Sequence, residues 1–248
     1  MFNIIIFTSD SIYSYLLLKN FLENNYHRIE SIYISESLKK QNKKKFILNK
    51  LFNGLGFRYY LFRLAHKIKY KAGGKNLKQL SKDLNVPIKY VNDINDNSVI
   101  KELQEKKPTL IVSAFFDQII KKEILELPSF GILNVHPSFL PNYRGVKPAF
   151  WALKNNEEKT GITVHMMDEG IDTGDIFAQK EIGISPDDTF NSLMKKLSSE
   201  GSFLLNDVVY LIENGSYSLV KQNNEGFYFG QPDKEDLKLF LKYDKHFY

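Results

Sequence analysis

The chain is predicted to be α/β: a mostly parallel sheet with flanking helices, followed by a small C-terminal extension made of a β-hairpin and a helix. Three observations predict it. Short apolar runs rich in β-branched residues alternate with helical segments from the first residues onward, the rhythm of strands joined by crossover helices. The 248 residues are 43% hydrophobic and 25% charged, enough apolar surface for a real core. The pattern changes after Gly215, the single plausible boundary, with no internal repeat and no low-complexity linker. The expected organisation is therefore one unit over 1–215, carrying a helical insertion over 36–75, and an extension over 216–248.

Each element has its own signal. "NIIIF" (3–7) is a buried strand bounded by Thr8-Ser9-Asp10, followed by a helix from Ile12 to about Glu23. "IESIYI" (29–34) is the second strand. Residues 36–75 read as helical, basic and aromatic. Such a stretch suits a nucleic-acid face or a membrane surface, but a helical insertion that packs its Leu and Phe and solvates its lysines is the preferred reading. "NLKQLSKDL" (76–84) is a helix, "VPIKYV" (86–91) a strand, and 95–106 a polar helix stopped at Lys107-Pro108. "TLIVSAFF" (109–116) is the best buried strand, "IKKEILELP" (120–128) a short helix, and "GILNVH" (131–136) another strand. "KPAFWALKNN" (147–156) is a helix with Pro148 in its first turn, where a missing N–H is harmless. "GITVHMM" (161–167) and "IFAQKEI" (176–182) are strands joined by "DEGIDTGD". Residues 187–215 form a long amphipathic helix with an expected break at Gly201. In the extension, "YSLVKQ" and "GFYFGQP" pair as a hairpin before the helix "DKEDLKLFLKY".

Composition excludes several chemistries. There is no cysteine, so no disulfide, thiol nucleophile or Cys-ligated zinc. The first apolar run lacks a basic flank and reads as a strand, and no apolar run reaches the roughly eighteen residues of a membrane span. A cytoplasmic protein without membrane partners is expected. The net charge of +5 is concentrated in "KKQNKKK" (39–45) and suits an anionic ligand.

The chemistry centres on Asn134, His136 and Asp172. Asn134 and His136 stand two apart on one strand, so their side chains share a face. They lie at the C-terminal end of a parallel strand, where open α/β sheets bind ligands. Asp172 stands in "GIDTG", a tight loop. An amide, an imidazole and a carboxylate are what direct acyl transfer to an amine requires. The amide NH2 donates to the developing oxyanion. The imidazole accepts a proton from the attacking amine or hydrogen-bonds the tetrahedral intermediate. The carboxylate orients the imidazole and raises its pKa. Two other readings compete. His136 could be a satisfied structural histidine, or His136, His165 and Asp172 could be a two-His-one-carboxylate metal site. Against the latter, His165 lies inside an apolar strand.

"NVHPSFLPNYRG", then "GITVHMMDEGIDTGD", then "IFAQKEI" resemble the folate-dependent formyltransferase family, whose pattern Asn-x-His-x-Ser-x-Leu-Pro is met by Asn134, His136, Ser138, Leu140 and Pro141. The strong match covers roughly 108–183. The resemblance implies a Rossmann-like formyltransferase fold and makes Asn134, His136 and Asp172 the catalytic residues. N10-formyltetrahydrofolate is the implied formyl donor, with no metal. It places the pterin beside Phe115, Phe116, Gln118 and Ile119 and against the backbone of Asp168, Glu169, Gly170 and Ile171.

Three acceptors compete within that family. The methionyl-tRNA enzymes carry a further C-terminal barrel, whereas only 216–248 follows here. The purine-pathway enzymes open with a glycine-rich phosphate loop, which "FTSDS" lacks. The tail "GFYFGQPDKEDLKLF" and "YRGVKPAFWAL" resemble the sugar N-formyltransferases. The implied substrate is a nucleotide-linked amino sugar, a dTDP-amino-dideoxyhexose destined for O-antigen or another surface glycan. Ser138, Tyr143, Arg144, Lys147 and Trp151 are the candidate substrate contacts. A homodimer and no nucleic-acid partner are expected. A tRNA-directed enzyme and a non-catalytic folate- or metal-binding protein remain the alternatives.

Overall fold

The structure, a computed structural model, describes residues 2–36, 64–65, 68, 70, 73–74, 76–222, 226–243 and 245–247. The insertion expected over 36–75 falls almost wholly outside the described residues. The strands are β1 (Ile4–Ser9), β2 (Ile29–Ser35), β3 (Ile88–Val91), β4 (Leu110–Ala114), β5 (Gly131–His136), β6 (Arg144–Gly145), β7 (Lys159–Met166), β8 (Ile176–Gly183) and β9 (Tyr228–Phe229). The helices are α1 (Ile12–Asn25), α2 (Leu77–Asp83), α3 (Asn97–Lys106), α4 (Lys122–Leu125), α5 (Pro148–Lys154), α6 (Phe190–Glu213) and α7 (Lys234–Lys242).

Among the described residues, seven strands form one sheet in the order β3-β2-β1-β4-β5-β7-β8. β3, β2, β1, β4 and β5 run parallel, and β7 and β8 add antiparallel. β1 shows why the centre is buried on both faces. Ile4 and Ile6 pack with Leu17, Phe21, Leu205 and Val209 on one side, while Ile5 and Phe7 pack with Val99, Leu103 and Ile124 on the other. Fully burying such a side chain stabilises by about 1.5–3 kcal/mol. The chain leaves β1 in one direction to β2 and β3, then returns to place β4 on the other side of β1. That reversal opens a crevice at the carboxyl ends of the strands, and β5 ends beside it.

The Ser11 hydroxyl caps α1 by accepting from Ser14 N–H, which stops the first strand cleanly and starts the crossover. The break expected at Gly201 is not there: α6 runs unbroken for 24 residues. A Cβ on Gly201 would lie 3.2 Å from Ile162 Cγ1 and 3.3 Å from Val135 Cγ1. The glycine serves close approach of helix to sheet, and the rest of the long helix absorbs a propensity loss of about 1 kcal/mol.

The hairpin expected in the tail is also corrected. β9 pairs in parallel with β6, Arg144 opposite Tyr228 and Gly145 opposite Phe229. Val220 instead bridges antiparallel to Ile176 at the start of β8. Alternation identifies a strand but not its partner. Here the unpaired groups of a loop near β5 were the nearer partner. The tail is further tied down at α7, where Phe240 is fully buried between Phe150 and Phe247, at ring distances of 4.7 and 4.9 Å. The expected tail helix is present, opened by a capping box at Asp233.

Candidate active site

Asn134 and His136 emerge on one face of β5 near its carboxyl end, as period two requires. Asp172 reaches them from the loop between β7 and β8. Its φ is +54°, a left-handed conformation that aspartate tolerates better than most residues. The carboxylate is the hub. Asp172 Oδ1 lies 3.4 Å from His136 Nδ1, accepts from Asn134 Nδ2 at 3.2 Å, and lies 3.6 Å from His165 Nε2. Asp172 Oδ2 accepts from the Gly145 N–H at 2.8 Å.

The hydrogen positions follow from what each neighbour can do. The Tyr143 carbonyl only accepts and lies 3.0 Å from His136 Nε2, so that nitrogen carries the hydrogen. In neutral His136, Nδ1 is then a lone pair facing a carboxylate oxygen. Two acceptors stand apart, as the 3.4 Å gap shows. His165 is set in the same way. Its Nδ1–H donates to the Met166 carbonyl at 2.7 Å, leaving Nε2 to accept from Asn134 Nδ2 at 3.1 Å. Both amide hydrogens of Asn134 are thus committed, one to His165 and one to Asp172. This corrects the sequence expectation that the NH2 faces the reacting oxygen: the group the amide has left to offer is its carbonyl oxygen, an acceptor.

The electrostatics follow burial. His136 is only 4% exposed. Burial pushes its pKa below the ordinary imidazole value; Asp172 and the Tyr143 carbonyl work the other way and do not win. Asp172 does act on this imidazole in the expected direction, raising its pKa, but burial outweighs it and the net shift is downward. Asp172 itself is pushed up by burial, but the positive charge His136 takes on in acid, together with His165 and the Gly145 N–H, holds it well below the usual carboxylate range.

The other expected residues separate into groups. Asp168, Glu169, Gly170 and Ile171 form an exposed loop, held by the Asp168 carboxylate accepting from Gly170 N–H at 3.0 Å and from the Thr173 hydroxyl at 2.7 Å. Across from it, Glu169 meets Lys122 at 3.6 Å, so this loop faces the segment after β4. That segment holds Phe115 at φ +53°, Phe116 packed on Phe7 at 5.4 Å, and Ile119, which is 79% exposed. Gln118 is turned away from ligand work. Its amide accepts from Ile94 N–H at 2.7 Å and donates to Ser35 Oγ at 2.8 Å.

Several expected substrate contacts are structural. Ser138 is fully buried and donates to the Asn142 carbonyl at 2.8 Å. Trp151 is buried, its indole N–H donating to the Val146 and Gly230 carbonyls at 3.0 and 3.2 Å. Arg144 is buried and donates to Gln222. The Tyr143 ring stacks on Phe229 at 5.0 Å, and its hydroxyl binds Glu157, which with burial lifts its pKa to about 12. Lys147 is half-buried at φ +55°, just before α5. The sequence reading missed Gly145, Gln222 and the positioning role of His165. Only the β5–β7 register, which sets Asn134 opposite His165, would have brought that histidine in. Among the described residues, no cluster of three or more His, Asp or Glu is arranged to hold a metal ion, and no helix is long and apolar enough to cross a membrane.

A family model described as Formyl transferase matches residues 71–209. The chain is 39% identical over 157 residues to the methionyl-tRNA formyltransferase of Clostridioides difficile, covering 63% of this chain and 51% of that protein. To the methionyl-tRNA formyltransferase of Kosmotoga olearia it is 36% identical over 182 residues, covering 71% and 58%. The chain spans about half the length of the curated relatives it matches. Among solved structures it is similar to a sugar 3N-formyl transferase determined with dTDP and 5-N-formyl-THF. The TM-score is 0.61 at 26% identity, over 93% of this chain and 70% of that one. A phosphoribosylglycinamide formyltransferase from Streptococcus pneumoniae shares the fold, with a TM-score of 0.59 at 18% identity over 86% of this chain and 99% of that one.

Proposed function

Because the chain belongs to the formyl transferase family, we propose that it transfers a formyl group from N10-formyltetrahydrofolate to a primary amine, and that a nucleotide-linked amino sugar carries that amine. The observation behind the chemistry is the hydrogen order at His136. Nε2–H is tied to the Tyr143 carbonyl, and Nδ1 is left as a base beside a carboxylate. A depressed imidazole pKa keeps that base unprotonated at neutral pH.

The donor supplies an activated formyl carbon. The residues fit a flat, partly apolar ligand: Phe115, Phe116 and Ile119 on one side, and the exposed backbone of 168–171 on the other. Asn134 offers its carbonyl oxygen to an amine N–H and so aims the nitrogen lone pair. His136 Nδ1 takes the proton that the amine must lose. The imidazolium so formed becomes a donor to Asp172 Oδ1, turning an acceptor–acceptor gap into an ion pair. His136 then returns the proton to the departing nitrogen. No covalent bond to the protein is needed.

The acceptor class rests on the reach of the similarity. The likeness to a sugar 3N-formyl transferase extends over 93% of this chain, and the tail strand β9 is part of the brace around the site. A second reading, an aminoacyl-tRNA acceptor, is favoured by the 39% identity to a methionyl-tRNA enzyme. Thermal shift against dTDP, UDP, GDP and GMP, beside filter binding of tRNA over a salt series, separates them. Selective stabilisation by one nucleoside diphosphate is expected; tight, salt-steep tRNA binding with no nucleotide response would replace the sugar reading. His136→Asn and Asp172→Asn should each lower turnover by about 10²–10⁴-fold. Near-normal turnover in both would remove the site assignment.

A further inference from the structure

Gln222 belongs to the tail, and nothing in its sequence neighbourhood marks it. Its carboxamide has two acceptor and two donor positions, and all four are used. Oε1 accepts from Arg144 Nε at 3.2 Å and from Arg144 Nη2 at 2.8 Å. Nε2 donates to the Asp172 carbonyl at 3.0 Å and the Gly174 carbonyl at 2.7 Å. The partners are 78, 50 and 48 residues away along the chain.

Those partners are the two segments that hold the hub carboxylate. Arg144 begins β6, and the next residue, Gly145, donates its N–H to Asp172 Oδ2. Asp172 and Gly174 belong to a loop whose neighbouring residues 168–171 are exposed, and Asp172 sits in a left-handed conformation there. A strained loop residue persists only where its surroundings over-determine it. Gln222 grips the loop backbone with its donors and the β6 segment with its acceptor, closing a three-cornered frame of tail, strand and loop.

We infer that Gln222 is a positioning residue that fixes the Asp172 carboxylate against His136, so that a residue of the tail sets the geometry of the site. Its hydrogen bonds go to Arg144, Asp172 and Gly174 and not to His136. The inference rests on the formyl-transfer reading for its effect on turnover, but not for its effect on His136. Three groups bear on the His136 ring: the Asp172 carboxylate, the Tyr143 carbonyl and the His165 ring, whose centroid is 6.4 Å away. The first carries a fixed charge and is held through Gln222. Loosening it removes attraction for the imidazolium while the burial of His136 remains.

The test uses the whole chain with Gln222→Met, which keeps the length and removes all four hydrogen bonds, and Gln222→Glu, which keeps the Arg144 contact and removes both donors. Turnover should fall on the order of 10- to 100-fold in each, as small misplacements of a reacting constellation do, with KM for the formyl donor unchanged. The His136 titration, followed by NMR on substrate-free Gln222→Met, should move to lower pH. An unmoved titration in Gln222→Met, whatever its turnover, overturns the inference. Wild-type turnover in Gln222→Glu overturns it too, and that variant decides the matter if Gln222→Met does not fold. Absence of formyl transfer in the wild type would count against the function reading alone, because the NMR titration needs no substrate.

Discussion

At the residue scale, the site is a set of hydrogen positions dictated by neighbours that can only accept. The Met166 carbonyl fixes the His165 tautomer, His165 fixes one amide hydrogen of Asn134, and Asp172 fixes the other. His165 is therefore expected to matter through one lone pair. Glutamine can place an acceptor near the Nε2 position, whereas asparagine reaches only the Nδ1 position. His165→Gln should keep turnover within a few-fold, and His165→Asn and His165→Phe should lose about tenfold, the scale of one hydrogen bond. No loss in His165→Phe would show that the ring merely fills space, and equal loss in all three would show that the Nε2 lone pair is not what matters. Asn134 and His136 were legible because period two is strict, and Asp172 because an acid between glycines in a strand-joining loop has few structural uses. The direction of the amide was not legible. It depends on the strand register that brings His165 opposite Asn134, and register is decided by side-chain burial across the whole sheet.

At the element scale, the parallel strands were readable because continuous burial leaves continuous apolar runs, as in β1 and β4. The tail was harder. Tyr217, Leu219, Phe227 and Phe229 alternate like strands, but alternation does not name a partner, and β9 chose β6. α7 was readable from its apolar stripe, and its anchor is Phe240. Truncating that ring leaves a cavity between Phe150 and Phe247. Phe240→Ala should destabilise by about 3–5 kcal/mol and lower Tm by about 10 °C for a chain of this size. A melting curve matching the wild type would mean that α7 is not docked on α5 in solution. Gly201 shows the opposite error. A glycine inside a helix pattern signals a break on propensity alone, whereas contact with Ile162 and Val135 gives it a packing role that propensity does not contain.

For the whole molecule, the buried pair makes stability depend on pH. Burial lowers the His136 pKa in the folded state, so the unfolded chain binds more protons there, and stability rises with pH up to about 6.5, the unfolded imidazole value. The Asp172 pKa is also lowered in the folded state. Its contribution is present above about 3.9, the unfolded carboxyl value, and is lost as pH falls through and below that value. Both effects weaken the fold in acid. Tm should fall as pH is taken from 7.5 to 5, and the slope above pH 5 should flatten in His136→Asn. Tm constant over that range in the wild type would mean that His136 titrates as it does in the unfolded chain. The fold class was legible because it depends on the order of apolar runs; this coupling was not, because it depends on how completely one imidazole is enclosed.

The pairing of β6 with β9 also has a consequence in time. Asn134, His136 and Asp172 leave the ribosome well before Gln222 and Phe229, and the parent sheet can close over them as soon as β8 has emerged. What is missing at that moment is the frame around the carboxylate, since its far corner has not yet been translated. That frame is complete only once the late segment runs alongside residues 144–145.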